Sequence, residues 1–556
     1  MKSVIIRADG GGMIGTGHIM RMLALAQAIR RKGQNVVFAT VACPPKLVER
    51  LESANLNHRR LKVESVGSTS DAESTMDLIE ELEAPWVVLD GYHFGVDYQN
   101  RLAKTDAQVL CVDDHLHGNE WNCDAILNQN LDAEIWAHYS SQNPNTQMLL
   151  GSSFCLLREE FLKDKPSKKG WQKIEKLLIT LGGSDPENAS LKVLNLLEQT
   201  DSPFIQIRLI IGPDNLNTET LRAFKTRHEI DLLSDIHDMP AQYQWADGII
   251  SAGGSTCWEW LHHNLPGAII TIADNQEPIV EAICSSHKSA LSLGWFNKIE
   301  HRKSELQNWL ENPRDVINEA YTSTLIDGFG ADRVASLLTG QLRIHFLTQK
   351  DGWMSHRLRE LIEQSNLSQH SPEIYYDTQD LPRGDLLFIL SYWGLVDSRT
   401  LAKHSHNLVV HESDLPKGKG WSPLTWQIIE GKNSIPFTLF EAIEKVDAGD
   451  IYAQTELALN GNELLDELHE LQVKETIKLC EHFVDKYPAV VTQKRPQKGR
   501  DSFYERRTPA SSELDPTCSI EKQFDLLRTV DNQLYPAFFF HRGTKYILRI
   551  NRADND

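Results

Sequence analysis

Apolar and polar positions fall into three successive blocks. In the first, short apolar runs alternate with amphipathic stretches. SVIIRAD (3–9) reads as a buried strand and HIMRMLALAQAIRRKG (18–33) as an amphipathic helix closed by Gly33. NVVFATV and PPKLVERLESAN repeat the strand–helix pair, and PWVVLDGY and QVLCVDDH are further apolar strands. This alternation predicts a parallel sheet with helices on both faces. Ligands of such sheets sit beyond the carboxyl ends of the strands, which here carry Asp9, Asp90, Tyr92, Asp113 and Asp114.

A second block starts near Trp171. KLLITLGGSDPENA, QIRLIIGPD, DGIISAGGSTCWEWL and GAIITIADNQ are strand-then-loop units, and the block closes with the helix ADRVASLL (331–338). Two similar α/β halves in tandem predict a cleft between them. The third block opens almost at once with LRIHFLTQ (342–349). It continues through LLFILSY, NLVVHESDLP and a helix over 463–486. From Lys494 the chain turns basic and turn-rich (KRPQKGRDSFYERRTP) and ends in the strand-like YPAFFFHRGTKYILRI. The expected domains are 1–165, 166–340, 341–490 and a small β-rich subdomain, 491–556.

Composition narrows the chemistry. The 556 residues carry a formal net charge of −20, which argues against a general nucleic-acid binder. Local backbone N–H groups can still bind one phosphorylated small molecule. Eight cysteines without a C-x-x-C pair suit a reducing compartment. No apolar run reaches the 18 or so residues of a membrane span. The expectation is a cytoplasmic protein with no membrane and no nucleic-acid partner. The oligomeric state stays open, with a dimer as one option.

RADGGGMIGTGHIMR (7–21) satisfies the spacing G-x-G-x-x-G. A dinucleotide site also needs an acidic residue about 20 residues further on, at the end of the second strand. That strand is followed by Ala42 and Cys43. His18 points elsewhere. At the first turn of a helix the dipole disfavours the imidazolium, which leaves a neutral ring able to take a proton.

RADGGGMIGTGHIMR resembles the N-terminal motif of the pseudaminic-acid-pathway UDP-sugar hydrolases, which are similar in fold to glycosyltransferases of the two-Rossmann (GT-B) type. DDHLHGNEWNCDAILNQN, ITLGGSDPEN, ISAGGSTCWEW, ADNQEP and DGFGADR follow in the family's order, so the resemblance covers residues 1–338. It implies that the second half binds UDP through Gly182, Gly183 and Ser184 and through Gly253, Gly254, Ser255 and Thr256. Glu259 would accept from the ribose hydroxyls, with Asn275 and Gln276 at the sugar–diphosphate junction. Gly15, Asp9 and Tyr92 would lie around the sugar. His18 would be the base that activates water. No metal is expected: Asp113, Asp114, His115 and His117 are close in sequence, but strand alternation divides their directions.

VVHESDLPKGKGWSPLTWQIIEGK and IEKVDAGDIYAQ resemble the formyltransferases that use 10-formyltetrahydrofolate, a family that includes methionyl-tRNA and sugar N-formyltransferases. FYERRTPASSELDP and LLRTVDNQLYPAFFF fit its C-terminal extension, so the resemblance covers 342–550. It implies a third Rossmann-like domain with His411 and Asp447 catalytic. The folate would lie against SYWGLVDS, with Tyr392, Leu395 and Asp447 as its contacts. The family's Asn-x-His pair is broken, because Val409 occupies the Asn position. Asn407 lies one pleat back, roughly 7 Å along the strand, and could replace it only if a bulge shifts the register.

Joined, the two resemblances imply a bifunctional enzyme that formylates a UDP-linked amino-trideoxy-altrose and hydrolyses UDP from the acylated sugar. Two alternatives remain open at this level: a GT-B glycosyltransferase fused to a formyltransferase, and a hydrolase with a non-catalytic folate-binding module.

Overall fold

Apolar runs buried on both faces make central parallel strands, and three sheets result. The structure, a computed structural model, describes residues 2–11, 16–163, 171–183, 185–212, 215–234, 236, 238–319, 322 and 325–553. It divides into two compact units, Met1–Gly340 and Gln341–Asp556.

The first unit holds two parallel sheets. Strands β1 (Ser3–Ala8), β2 (Asn35–Thr40), β3 (Asn57–Arg60), β4 (Trp86–Asp90), β5 (Gln108–Val112), β6 (Ala125–Asn128) and β7 (Gln147–Leu150) run in the order β3-β2-β1-β4-β5-β6-β7. Strands β8 (Lys176–Thr180), β9 (Gln206–Ile211), β10 (Glu229–Ser234), β11 (Gly248–Ala252), β12 (Gly267–Thr271) and β13 (Ala290–Trp295) run β10-β9-β8-β11-β12-β13. The order reverses between β1 and β4 in one sheet and between β8 and β11 in the other. Doubly wound sheets bind ligands at such reversals.

Helix α1 (Gly17–Arg31) is buried nearly all round, with Ile19, Met22, Leu23, Leu25 and Ile29 at 2% exposure or less. Each contributes about 1.5–3 kcal/mol of burial. That grip comes from the first sheet and from the helix Gly330–Thr339, which returns from the second half to pack on α1. Gly330 permits the return: a Cβ there would stand 2.3 Å from the Cys155 carbonyl oxygen. Ion pairs Arg31–Asp332 (3.0 Å) and Arg158–Glu259 (3.1 Å) and the hydrogen-bonding contact of His287 with Asp132 (2.9 Å) also join the halves.

The second unit centres on a mixed sheet. Strands β14 (Ile344–Leu347), β15 (Glu373–Tyr375), β16 (Gly384–Ile389) and β17 (His404–His411) are parallel. After the two-residue β18 (Lys419–Gly420), strands β19 (Ser434–Glu441) and β20 (Ile451–Ala458) add on antiparallel beyond β17. The helix Leu465–Lys486 follows. The C-terminal part holds β21 (Phe503–Tyr504), paired to β18, and a hairpin of β22 (Ala537–His541) and β23 (Thr544–Leu548). No helix among the described residues is long and apolar enough to cross a membrane.

Candidate functional site

The reversal between β1 and β4 gathers the first set of side chains. His18 is the second residue of α1 and is buried. Its Nδ1 lies 2.6 Å from Oδ1 of Asp90, the last residue of β4. Arg21, one helical turn on, donates from Nε to the other Asp90 oxygen (2.7 Å) and from Nη1 to both oxygens of Asp114 (2.7 and 2.8 Å). Burial opposes ionisation of Asp90, but Arg21 and His18 outweigh it and hold the carboxyl well below the usual range. An ionised Asp90 accepts a hydrogen bond from the Nδ1–H of His18. That fixes the tautomer and leaves Nε2 as the basic nitrogen on the opposite edge.

Tyr92 packs edge-on against His18, with ring centroids 5.3 Å apart, and donates its hydroxyl to Asp114 (3.1 Å). Burial, reinforced by Asp114, pushes the phenol up, so it stays a donor. His115 and His117 also approach the Tyr92 ring, at 4.7 and 5.3 Å. His117 bonds through Nδ1 to Asp113, which Tyr139 (2.6 Å) and the Leu116 N–H (2.7 Å) also hold.

Asp9 has a different setting. It is buried, with Oδ2 on Arg7 (2.7 Å) and Oδ1 accepting from the backbone N–H groups of Val41 and Ala42 (2.7 and 2.8 Å). Burial opposes its charge, but His93, Arg7 and the Ala42 N–H bring the carboxyl down to about 2. It is an anchor between β1 and the end of β2. Gly15 lies outside the described residues.

In the second half, Gly182 and Gly183 follow β8 and face open space, Gly182 at φ +91°. Ser184 lies outside the described residues. Gly253 to Ser255 follow β11 and lead into the helix Thr256–His262. Gly254 faces open space, whereas a Cβ on Gly253 would strike Val280 at 2.6 Å. Ser255 is exposed and Thr256 half-buried. Both loops thus follow the two strands that flank the reversal between β8 and β11. Glu259 is held by Arg158 (3.1 Å) and by the Tyr243 hydroxyl (2.9 Å). Burial pushes its carboxyl up, against the pull of Arg158 and Tyr243. Asn275 is exposed, while Gln276 folds back to accept from the Ile272 N–H (3.0 Å).

In the second unit His411 ends β17, buried, with Nε2 bonded to the Gly418 carbonyl (2.9 Å). Asp447 sits in a left-handed turn (φ 52°) and accepts from the Gly420 N–H (3.1 Å). The 418–420 segment therefore ties the two together. A Cβ on Gly449 would come 1.7 Å from the Glu441 carbonyl oxygen, so only glycine closes this turn. Both His411 and Asp447 act on the half-buried Glu412, whose carboxyl burial pushes up.

Strand β17 runs in unbroken register, Val409 opposite Ile389 on one side and Phe440 on the other. No bulge shifts Asn407 forward. Its amide donates to the Leu401 carbonyl (2.9 Å), and Val409 packs against Leu415, Phe440 and Ile451. Tyr392 packs against Leu347, Leu387 and Ile389, while Leu395 (84% exposed) and Trp393 (59%) project from the same loop.

From the sequence alone Asp90 and Asp114 stand at strand ends with no role assigned, and Arg21 is not singled out. The i, i+3 spacing from His18 to Arg21, one face of a helix, was the available signal.

Residues 177–282 match the glycosyltransferase family 28 C-terminal domain, and residues 353–480 match the formyl transferase family. An uncharacterized protein of Methanocaldococcus jannaschii is 24% identical over 314 residues, 54% of this chain. The match spans 63% of that protein, less than two thirds of its length. The UDP-2,4-diacetamido-2,4,6-trideoxy-beta-L-altropyranose hydrolase of Campylobacter jejuni is 28% identical over 277 residues, 49% of this chain and 93% of the hydrolase. Among solved structures, methionyl-tRNA formyltransferase from Clostridium thermocellum is 21% identical, covering 38% of this chain and 94% of its own, with a TM-score of 0.30.

Proposed function

We propose that this chain, a fusion of a unit related to UDP-sugar hydrolases with a formyl transferase domain, is a bifunctional enzyme of pseudaminic acid biosynthesis. Its second unit formylates the free amine of a UDP-linked amino-trideoxy-altrose. Its first unit hydrolyses UDP from the acylated product. The observation that carries the hydrolytic half is the His18–Asp90–Arg21 arrangement at the sheet reversal.

In hydrolysis, Nε2 of His18 takes a proton from water as the water oxygen bonds to the anomeric carbon. The bond from that carbon to the phosphate oxygen breaks, and UDP leaves with the electron pair. Asp90 stays ionised and stabilises the imidazolium, a general-base arrangement worth about 10²–10⁴ in rate. Backbone N–H groups at Gly182–Gly183 and Gly253–Thr256 would receive the departing diphosphate. Tyr92 remains protonated, and with its hydrogen given to Asp114 its oxygen accepts from a sugar hydroxyl. Asp9 ties the end of β1 to the residues that follow β2.

In the second unit 10-formyltetrahydrofolate supplies an electrophilic formyl carbon when bound. Apolar Trp393 and Leu395, exposed on the loop that follows β16, suit a flat heterocycle, and Asp447 is presented by its own glycine-closed turn. With Nε2–H given to Gly418, Nδ1 of His411 is the nitrogen left to accept a proton from the attacking amine. Asp447 stabilises the resulting imidazolium.

A second reading, transfer of the sugar to an acceptor other than water, is favoured by the family 28 match alone. Mass spectrometry of the products from a UDP-linked amino-altrose, with and without 10-formyltetrahydrofolate, decides. UDP plus a free sugar heavier by one formyl group, seen only with the folate, is the expected result. UDP release with no formyl gain in either condition refutes the formylating half. Release that depends on an added acceptor refutes the hydrolytic half.

A further inference from the structure

In its C-terminal part the acidic chain carries a dense run of positive charge. Residues 494–507 carry six basic side chains against Asp501 and Glu505. Some are spoken for: Lys494 pairs with Asp450 (3.3 Å), and Asp501 takes Lys419 (3.1 Å). Lys498, Arg500 and Arg506 are exposed and have no ion-pair partner among the described residues.

This cationic surface adjoins the formyl-transfer residues through a short strand pair. Lys419 and Gly420 of β18 lie opposite Phe503 and Tyr504 of β21. The Trp421 N–H then donates to the Tyr504 carbonyl (3.1 Å). The Arg506 guanidinium sits 4.7 Å over the Trp421 ring. Trp426 stacks on Tyr504, interplanar angle 10°, and bonds the Glu505 carbonyl (2.9 Å), which makes the platform rigid. Trp421 (38%) and Phe503 (70%) are exposed aromatics. Gly420, next to Trp421, is the residue whose N–H holds Asp447, and Gly418 holds His411.

Exposed aromatic faces beside unpaired guanidinium and ammonium groups are the chemistry that takes a base and its phosphates. We infer that the surface of Trp421, Phe503, Lys498, Arg500 and Arg506 binds the nucleoside diphosphate of the amine substrate, a second nucleotide site separate from that of the first unit. The inference rests on the reading that the second unit formylates a nucleotide-linked amine. The −20 charge of the chain favours a small nucleotide over an RNA, which would meet repulsion outside this patch.

Calorimetric titration of the full chain with UDP tests it, in wild type and in Lys498→Gln/Arg500→Gln/Arg506→Gln. Two equivalents per chain for wild type and one for the variant are expected. Loss of three solvent-exposed charge contacts raises KM for the UDP-linked amine about 10- to 100-fold. UDP release from an already acylated UDP-sugar stays unchanged. Equal stoichiometry in both proteins overturns the site. So does formylation of methionyl-tRNA by wild type that the variant loses. Should wild type formylate no UDP-linked amine yet bind two UDP where the variant binds one, the nucleotide site stands and the proposed reaction falls.

Discussion

Replacing Arg158 with Gln separates electrostatics from packing at the predicted ribose site. Arg158 reaches Glu259 at 3.1 Å, with side chains 9% and 17% exposed. It also donates to Glu160 (2.7 Å) and lies over the Phe161 ring. Arg50 shares Glu160 from the other side (3.1 Å). Removing one partner of a buried pair costs about 3–5 kcal/mol. The Tyr243 bond survives and Glu259 is not fully enclosed, so the lower end, about 3 kcal/mol, is expected. The pH dependence has a defined sign. Burial already raises Glu259 above its ordinary value, so the native state holds this proton more tightly than the unfolded chain. Stability from this group therefore falls as pH rises through and above the ordinary carboxylate range. Without Arg158 that fall is larger and extends to higher pH. Denaturant unfolding of the full chain at pH 5 and pH 8 should show a small cost at pH 5 and most of the loss at pH 8. In a Glu259→Gln background, Arg158→Gln should cost about 1 kcal/mol or less, since no buried charge is stranded. An equal cost in both backgrounds, independent of pH, would refute the reasoning.

Asp90→Asn should lower UDP release about 10²–10⁴-fold at saturating substrate, because a neutral amide neither fixes the His18 tautomer nor stabilises the imidazolium; a change of only a few-fold would remove His18 from the chemistry. Val409→Asn places an amide among Leu415, Phe440 and Ile451 and should cost the second unit about 1–3 kcal/mol in thermal or denaturant unfolding. Formyl transfer should already be present in wild type, and activity that appears only in Val409→Asn would mean the natural domain is silent. His404 and His345 share a hydrogen bond of 2.7 Å on either side of Gly384. Burial first, then His345 and nearby cations, push His404 down to about 3. The unfolded chain takes that proton below about 6.5, so the second unit should lose stability progressively from pH 6.5 towards pH 3. His404→Leu should flatten that slope in unfolding measured across the same range.

What could be read from the chain follows from which interactions are local. Val4–Ile6, Val87–Leu89 and Val109–Val112 sit in strands covered on both faces, so uninterrupted apolar runs marked them. Strand β3, Asn57–Arg60, is a four-residue edge of polar and charged side chains, which carries no period-2 signal. The antiparallel strands β19 and β20 were missed for another reason. Their presence is visible as apolar segments, but direction depends on a connection whose path the pattern does not encode. At the site, the position of His18 on the first turn of α1 is local and was legible. Its partner was not: Asp90 lies 72 residues away, and five strand-end residues were equally eligible until β4 was seated beside β1. Likewise, whether Asn407 could replace the missing amide depends on the register of β17, which only its neighbours β16 and β19 set.

The nucleotide surface on the second unit, if it works as inferred, also fixes the order of the two reactions. Hydrolysis removes the diphosphate and base, which are the groups that Lys498, Arg500, Arg506 and the exposed aromatics can hold. A free amino sugar would bring only its ring and amine to His411 and Asp447, and would forgo stacking and phosphate contacts worth several kcal/mol. Formylation must then precede UDP release. A His18→Ala chain, with the second unit untouched, should accumulate the formylated UDP-sugar and release little UDP. A His411→Ala chain given the unformylated UDP-amine should accumulate no formylated species at all. Quenched time courses read by mass spectrometry distinguish the routes, because formylated UDP-sugar must rise and decay before formylated free sugar appears. Free unformylated sugar that is later converted to the formylated sugar would reverse the order, and would leave the cationic platform without a substrate to hold.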